Sequence, residues 1–309
     1  MITTITLNAA IDQVYEVDSL AVGGTNRVSN IIQEAGGKGI NVAKVLKRSG
    51  ADVTVGGFAG GINGERIRQL LLKKSIPSEL IQVEGESRIC LTVLDSKKSK
   101  VTELLESGPE ITEEEWQSML NWIDDQSKDV KWFALSGSLP KGLPTTAYAE
   151  LIDIINANGA KAILDSSGDA LQNGIKAKPY AIKPNEFEIA TILGKATVNE
   201  TDLLDVGKRF VDDGVEHVCF SLGEKGAIFV NQDGYFKADA PKVEVINTVG
   251  SGDAFVGGLL YGLANGEEPL IAYKRALACG SVNAMYSKIG FIDSQQVEEL
   301  MAQITIIKL

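Results

Sequence analysis

The stretch NTVGSGDAFVGGLLYGLANG (247–266) joins a glycine-rich turn to an apolar helix and puts an acid at the join. Gly250, Ser251 and Gly252 suit a tight turn, because glycine reaches backbone angles that other residues avoid. A helix N-terminus carries unpaired N–H groups and partial positive charge, so such an entry favours anions. Asp253 stands in the mouth of this anion hole, where it would repel a phosphate. Moving a phosphoryl group from ATP to an alcohol needs amides around the moving phosphate, a cation, and a base beside the acceptor hydroxyl. The 250–253 turn supplies the amides, and Asp253 supplies the base if it faces the acceptor oxygen. The plain alternative is a helix cap, worth about 0.5–2 kcal/mol and open equally to Ser, Thr or Asn.

Five further clusters follow strand-like runs and tilt the balance toward catalysis. EAGGKGINVAKVL (34–46) sets Gly36, Gly37 and Gly39 around Lys38, with Asn41 in the first turn of the next helix, which favours ligand contact over a solvated cap. TLNAAID (6–12) carries Asn8 and Asp12, and a carboxylate at a strand end suits sugar hydroxyls, although Asp in a turn is ordinary. SGSLPKG (136–142) is either a rigid donor loop or a simple turn. In IKPNEFE (182–188), Asn185 and Glu188 either cap their own helix or hold the water shell of Mg²⁺. SLGEKGAIF (221–229) is another glycine-paired turn.

Other chemistries are excluded or disfavoured. A P-loop fails at Lys38-Gly39, Lys195-Ala196 and Lys208-Arg209, and a GxGxxG motif fails at Phe255 and Val42. His217 is the single histidine, so any Ser-His-Asp or Cys-His mechanism would depend on it alone. Cys90, Cys219 and Cys279 are widely spaced without a CxxC pair, which disfavours disulfides and zinc and suits a cytoplasmic location. A formal charge of −11 argues against nucleic acid as a partner. It leaves room for anionic small molecules, which need only a few local cations. Neither a signal peptide nor an apolar run of about 18 residues is visible, so no membrane association is expected.

Short apolar runs at 2–7, 51–58, 130–137, 160–167, 179–183 and 216–222 alternate with amphipathic segments such as EEEWQSMLNWIDDQ and DLLDVGKRFVDDG. This β-α alternation predicts an α/β fold with a mostly parallel sheet and helices on both faces. Ligands then bind beyond the strands' carboxyl ends. Residues 12–35 and 87–107 break the pattern as pairs of β segments, the second with a basic SKKSK tip. They predict one small sheet, a lid on a single domain spanning 1–309, which closes over a ligand or pairs with a second subunit.

TLNAAID, GGKGINVAKVL, SGSLPKG, KPNEFE, SLGEKGA and NTVGSGDAF occur in the order seen in the ribokinase-like carbohydrate kinases, the PfkB family, and the resemblance covers nearly the whole chain. The closer likeness is to the branch of tagatose-6-phosphate kinases and 1-phosphofructokinases. ESRICLTVL with ELLESGPEIT is most similar to the former, whereas GGKGINVAKVLK and DVTVGGF are similar to the latter as well. The resemblance implies a three-layer α/β/α sandwich and ATP- and Mg²⁺-dependent phosphorylation of a ketohexose monophosphate. Tagatose 6-phosphate, phosphorylated to the 1,6-bisphosphate, is the expected substrate; fructose 1-phosphate is the alternative, and a catalytically silent sugar-phosphate-binding regulator the non-enzyme one.

Residue by residue, it implies Asp253 as base, with Gly250, Ser251 and Gly252 as the anion hole. Asp12, Gly37, Lys38 and Asn41 would hold the sugar, and Lys38, Arg88 and Ser138 the phosphate it already carries. Lys183 would approach the ATP phosphates, and Asn185 with Glu188 would organise Mg²⁺ through water. Ser221, Gly223 and Gly226 would line the nucleotide, with Asn283 near the adenine. A homodimer through the lid is the expected assembly. Three positions depart from the pattern: Ala9 replaces a common proline, Ser251 a frequent alanine, and Asn247 an aspartate of many relatives outside this branch, which weakens a monovalent-cation site there.

Overall fold

The computed structural model describes residues 1–98 and 100–309; Ser99, within the SKKSK tip, lies outside them. β1 (Ile2–Thr6) leads into β2 (Ala10–Val17), β3 (Asn30–Gly36), α1 (Lys38–Arg48), β4 (Val53–Gly60), α2 (Gly61–Lys73), β5 (Ser78–Val83), β6 (Arg88–Asp95) and β7 (Lys100–Leu105). An alternating run follows: α3 (Glu113–Asp129), β8 (Trp132–Ser136), α4 (Ala147–Ala157), β9 (Lys161–Asp165), α5 (Gly168–Lys176), β10 (Ala181–Ile182), α6 (Glu186–Leu193), α7 (Glu200–Asp212) and β11 (His217–Ser221). The chain ends with β12 (Ala227–Asn231), β13 (Gly234–Ala238), α8 (Ser251–Ala264), α9 (Pro269–Ala284), α10 (Ser294–Gln303) and β14 (Ile306–Lys308).

The large sheet has the order β14-β13-β12-β11-β10-β9-β8-β1-β4-β5. From β11 to β5 every pairing is parallel, and β12, β13 and β14 extend it antiparallel. The chain adds β4 and β5 on one side of β1 and β8 to β11 on the other. That reversal opens a crevice at the carboxyl ends, where such sheets bind ligands. The strands alternate as two-sided strands must: Ala227 and Phe229 enter one core, Ile228 and Val230 the other. Residues of α1, α2, α8, α9 and α10 fill the first core, and residues of α3, α4, α5, α6 and α7 the second.

Local chemistry explains individual helices. α3 starts with a Thr112–Glu115 capping box and buries Trp116, Met119 and Ile123 at helical spacing. α8 is apolar nearly all round because it is enclosed, packed between α1 and α9. Gly257 permits that approach, since a Cβ there would lie 2.7 Å from Val45 Cγ1. The helix that carries Asp253 is therefore held on both sides by other helices.

Residues 12–35 and 87–107 contribute to a second sheet of order β3-β2-β6-β7. Each segment is an antiparallel pair, and the two join through parallel β2 and β6, with Ala10 opposite Arg88 and Asp12 opposite Cys90. Asp12 lies inside β2 rather than in the turn after β1, and PYAIK gives only a two-residue strand. The β5, β12, β13 and β14 strands were not anticipated. β12 and β13 form a hairpin whose two-residue loop is Gln232-Asp233, with Asn231 at the first and Gly234 at the last position of the turn, both residue types that turns favour there. Among the described residues no helix is long and apolar enough to cross a membrane.

Candidate active site

Asp165 ends β9 at the carboxyl edge and is almost completely buried. Lys38, the first residue of α1, donates to its Oδ1 at 3.2 Å, and the Lys183 ammonium lies 3.3 Å from the same oxygen. Burial pushes the Asp165 carboxyl up, but the two ammonium groups hold it below the ordinary range. Asp165 in turn raises the Lys38 ammonium above its usual value. Asp165 Oδ2 is buried with no hydrogen-bond partner. Lys183 also borders the start of α8, with Nζ 3.5 Å from where a Cβ on Gly252 would stand.

Gly250 is the N-cap of α8 at φ 81°, a left-handed conformation that suits glycine. Asn283 fastens this turn from beneath. It is fully buried, donates to Val249 O at 3.0 Å and Ser251 Oγ at 3.3 Å, and accepts from Gly290 N at 2.9 Å. Asn283, expected near the adenine, spends its amide on this turn, while its neighbours Gly280, Ser281 and Ala284 line the adjoining cavity. Asp253, one turn into α8, is buried and accepts from Asn41 Nδ2 at 2.9 Å. Burial raises its carboxyl to about 6, with Lys38 opposing.

Two cavities meet here. One of about 460 Å³ is lined by Asp12, Gly37, Lys38, Asn41, Arg88, Lys183, Asn185 and Asp253, with Cys90, Thr92, Glu103 and Leu105 from the second sheet. The other, of about 920 Å³, is lined by Gly223, Gly226 and Ser251 and by apolar Val243, Val245, Phe255 and Leu277. Ser221 and Gly252 border both. Asp253 faces only the smaller cavity and Ser251 only the larger. The start of α8 is thus the partition between a sugar-sized space and a nucleotide-sized one.

The remaining expected residues are placed less directly. Burial holds the Asp12 carboxyl above its usual value although Lys44 and Arg88 pull it down. Arg88 donates to Asn8 O and Glu106 O, each at 3.2 Å, which aims it from β6 into the smaller cavity. Ser138 is exposed, and its Oγ accepts from Asn8 Nδ2 at 3.4 Å at the rim rather than within the lining. Asn185 and Glu188 form the capping box of α6, Asn185 Oδ1 accepting from Glu188 N and Glu188 Oε2 from Asn185 N. The helix cap left open by spacing alone is therefore present. Asp165 was missed by sequence reasoning, although an acid closing the apolar run AKAIL was a usable signal. Cys90, Thr92 and Glu103 gave none, since only pairing of the second sheet turns them toward the ligand space.

Residues 5–294 match the pfkB family of carbohydrate kinases. In structure the chain resembles a protein provisionally assigned as a phosphofructokinase from Staphylococcus aureus, at 33% identity over 100% of this chain and 99% of that one, with a TM-score of 0.87. It resembles phosphofructokinase-2 from Escherichia coli in complex with potassium at 25% identity over 98% of each chain, with a TM-score of 0.93. A protein provisionally assigned as a 1-phosphofructokinase from Thermotoga maritima shares the fold at 23% identity over 100% of this chain and 99% of that one, with a TM-score of 0.86.

The Asp165 pairing has a measurable consequence. Asp165→Asn leaves Lys183 buried without its counter-charge and should lower unfolding free energy by about 3 kcal/mol in urea denaturation. Because the folded carboxyl is held below its unfolded value, the wild-type advantage is present above the unfolded pKa and disappears as pH falls through the folded one. Equal stability of the two proteins at neutral pH would contradict this account.

Proposed function

The chain belongs to the pfkB family of carbohydrate kinases, has the ribokinase-like fold and is an ATP-dependent sugar phosphate kinase; from that premise we propose that it phosphorylates a ketohexose monophosphate, tagatose 6-phosphate, on O1. The observation that carries the reading is the partition at α8, with Asp253 on the sugar side and glycine amides between the two cavities. Asp253 takes the proton of the O1 hydroxyl as that oxygen bonds to the γ-phosphorus. The bond from phosphorus to the β–γ bridging oxygen breaks, ADP departs and the 1,6-bisphosphate remains. Amides of Gly250, Ser251 and Gly252 hold the moving PO₃ group, with Lys183 balancing its charge.

Asp12, Gly37, Lys38 and Asn41 bind the sugar, and Lys38, Arg88 and Ser138 its existing phosphate. Arginine suits this role because its planar fork matches phosphate oxygens. The preference for tagatose 6-phosphate is supported by Arg88, Cys90, Thr92 and Leu105. They belong to the segments whose wording resembles the tagatose-6-phosphate kinases, and they line the smaller cavity. Ser221, Gly223 and Gly226 serve the nucleotide.

The residues present suit Mg²⁺ held through water. Asp165 Oδ2 is buried and unpartnered, Glu188 uses Oε2 for its cap, and oxygen donors are what this ion takes. Among the described residues no three His, Cys, Asp or Glu form a direct cage. Asn185, Glu188 and Asp165 would therefore orient the ion's waters, and Mg²⁺ bound with ATP neutralises phosphate charge. For assembly, exposed Ile31 and Ile32 on β3 and Val101 and Leu104 on β7 support a homodimer through the lid.

Turnover measured by ADP release across tagatose 6-phosphate, fructose 1-phosphate, fructose 6-phosphate and fructose should be highest with the first; preference for another sugar overturns that choice. Asp253→Asn should bind ATP normally yet lose at least about 10²-fold in kcat. In the wild type, kcat should climb with pH through about 6, where Asp253 ionises, and level off above; a profile flat through that range argues for another base. Arg88→Ala should raise KM for the sugar phosphate by about tenfold or more while KM for ATP stays within about twofold. Light scattering after gel filtration should give twice the chain mass, and a monomer would remove the lid dimer.

A further inference from the structure

We infer that Lys44, buried behind the sugar cavity, is a positioning residue that fixes the amide orientation of Asn41 and thereby decides which oxygen of Asp253 meets the acceptor hydroxyl; the inference rests on the kinase reading above. Lys44 follows Asn41 by three positions in α1, which places both on one face of the helix. It is only 4% exposed. Its Nζ donates to Asn41 Oδ1 at 3.1 Å and to Glu34 Oε2 at 3.2 Å. Glu34, on β3, is held in turn by Lys74 at 2.7 Å.

Asn41 stands between two groups with opposite demands. An ammonium only donates and a carboxylate only accepts, so one amide orientation satisfies both. The oxygen turns to Lys44 and the NH₂ to Asp253, where Nδ2 lies 2.9 Å from Oδ2. Flipping the amide would set oxygen against carboxylate and NH₂ against ammonium, two unfavourable contacts in a buried place. Removing Lys44 deletes half of that penalty. With Oδ2 of Asp253 occupied by Asn41, Oδ1 is the oxygen left for the incoming hydroxyl.

A stabilising role alone is a poor explanation for Lys44. A buried ion pair returns little net stability, and an apolar side chain of similar size often serves as well. The groups facing each end are on several elements. Asp253 meets Lys38 and Asn41 of α1, Asp165 of β9 and Lys183 after β10. Lys44 meets Glu34 of β3, Asp12 of β2 and Lys74 after α2. Among the described residues, only the Lys44–Asn41–Asp253 link joins the two groups by hydrogen bonds.

The test is a kinetic cycle on the full-length protein with Lys44→Met, Asn41→Ala and the double variant, alongside Glu34→Gln and Asp253→Asn. Lys44→Met should lower kcat about tenfold, the worth of one oriented hydrogen bond, and move the acid limb of kcat to higher pH, because an unfixed amide no longer favours the carboxylate. KM for ATP should stay within about twofold. Lys44→Met should add nothing on the Asn41→Ala background. Glu34→Gln, which keeps Lys44 donating to Asn41, should retain wild-type kcat and acid limb even if its melting temperature falls. Additive effects of Lys44 and Asn41, a lowered melting temperature with unchanged kcat and acid limb in Lys44→Met, or an acid limb displaced by Glu34→Gln would each overturn the inference. Should Lys44→Met fail to fold, Asn41→Ala must by itself lower kcat and move the acid limb to higher pH, and an unmoved limb there would overturn the inference. Full activity of Asp253→Asn would instead strike the kinase reading, whereas an inactive Asp253→Asn beside a normal Lys44→Met strikes this inference alone.

Discussion

The site depends on one carboxylate oxygen shared by two ammonium groups. Asp165 Oδ1 holds Lys38 at 3.2 Å and Lys183 at 3.3 Å, and so ties the start of α1 to the ends of β9 and β10. Two lysines this close would repel each other if left alone. With Asp165 between them they form a fixed cluster of net charge about +1 that lines the smaller cavity. Lys38 reaches the sugar side and Lys183 borders the first turn of α8. The cluster also explains why Asp253 can be buried: Lys38 opposes the cost of its burial, and Asn41 bonds it directly.

A chain of formal charge −11 that handles doubly anionic ligands poses no contradiction. Exposed charges are screened beyond roughly 8 Å at physiological ionic strength, whereas buried or half-buried ones at the crevice are screened far less. On the proposed function, what a phosphate meets is set by Lys38, Lys183, Arg88 and the amides of the α8 turn. Four carboxyls in or beside the crevice are paired or pushed toward protonation. Asp165 carries two lysines, and burial lifts the carboxyls of Asp12, Glu188 and Asp253.

α8 belongs to the core and, on the proposed function, carries the base. Its body is buried between α1 and α9, and its first turn is fastened by Asn283. Catalytic geometry tolerates little displacement, so a base gains from a helix that packing has already immobilised. Of the residues proposed to gather the sugar and its phosphate, Asp12 and Arg88 come from the second sheet, whereas Gly37, Lys38 and Asn41 come from the start of α1 and Ser138 from the loop after β8.

Much of this was legible in the residues themselves. Alternating apolar runs gave the parallel sheet, and glycine turns after them marked its working edge. Gly250 to Asp253 read as an anion hole with a base rather than a plain helix cap only because five further clusters follow other strand-like runs. Two kinds of feature were not legible. Antiparallel β12, β13 and β14 and the edge strand β5 depend on which neighbour each run finds, and a short apolar run does not name its neighbour. The partners of Asp253 were hidden for the same reason: Asn41 stands 212 positions away in sequence, and Asp165 meets Lys38 across 127. Sequence determined which groups were available and on which edge of the sheet they would emerge, since local periodicity and turn chemistry act within a few residues. Tertiary structure alone decided which carboxylate was paired with lysines and which was buried against an amide with its pKa raised, because burial and charge pairing exist only once distant segments meet.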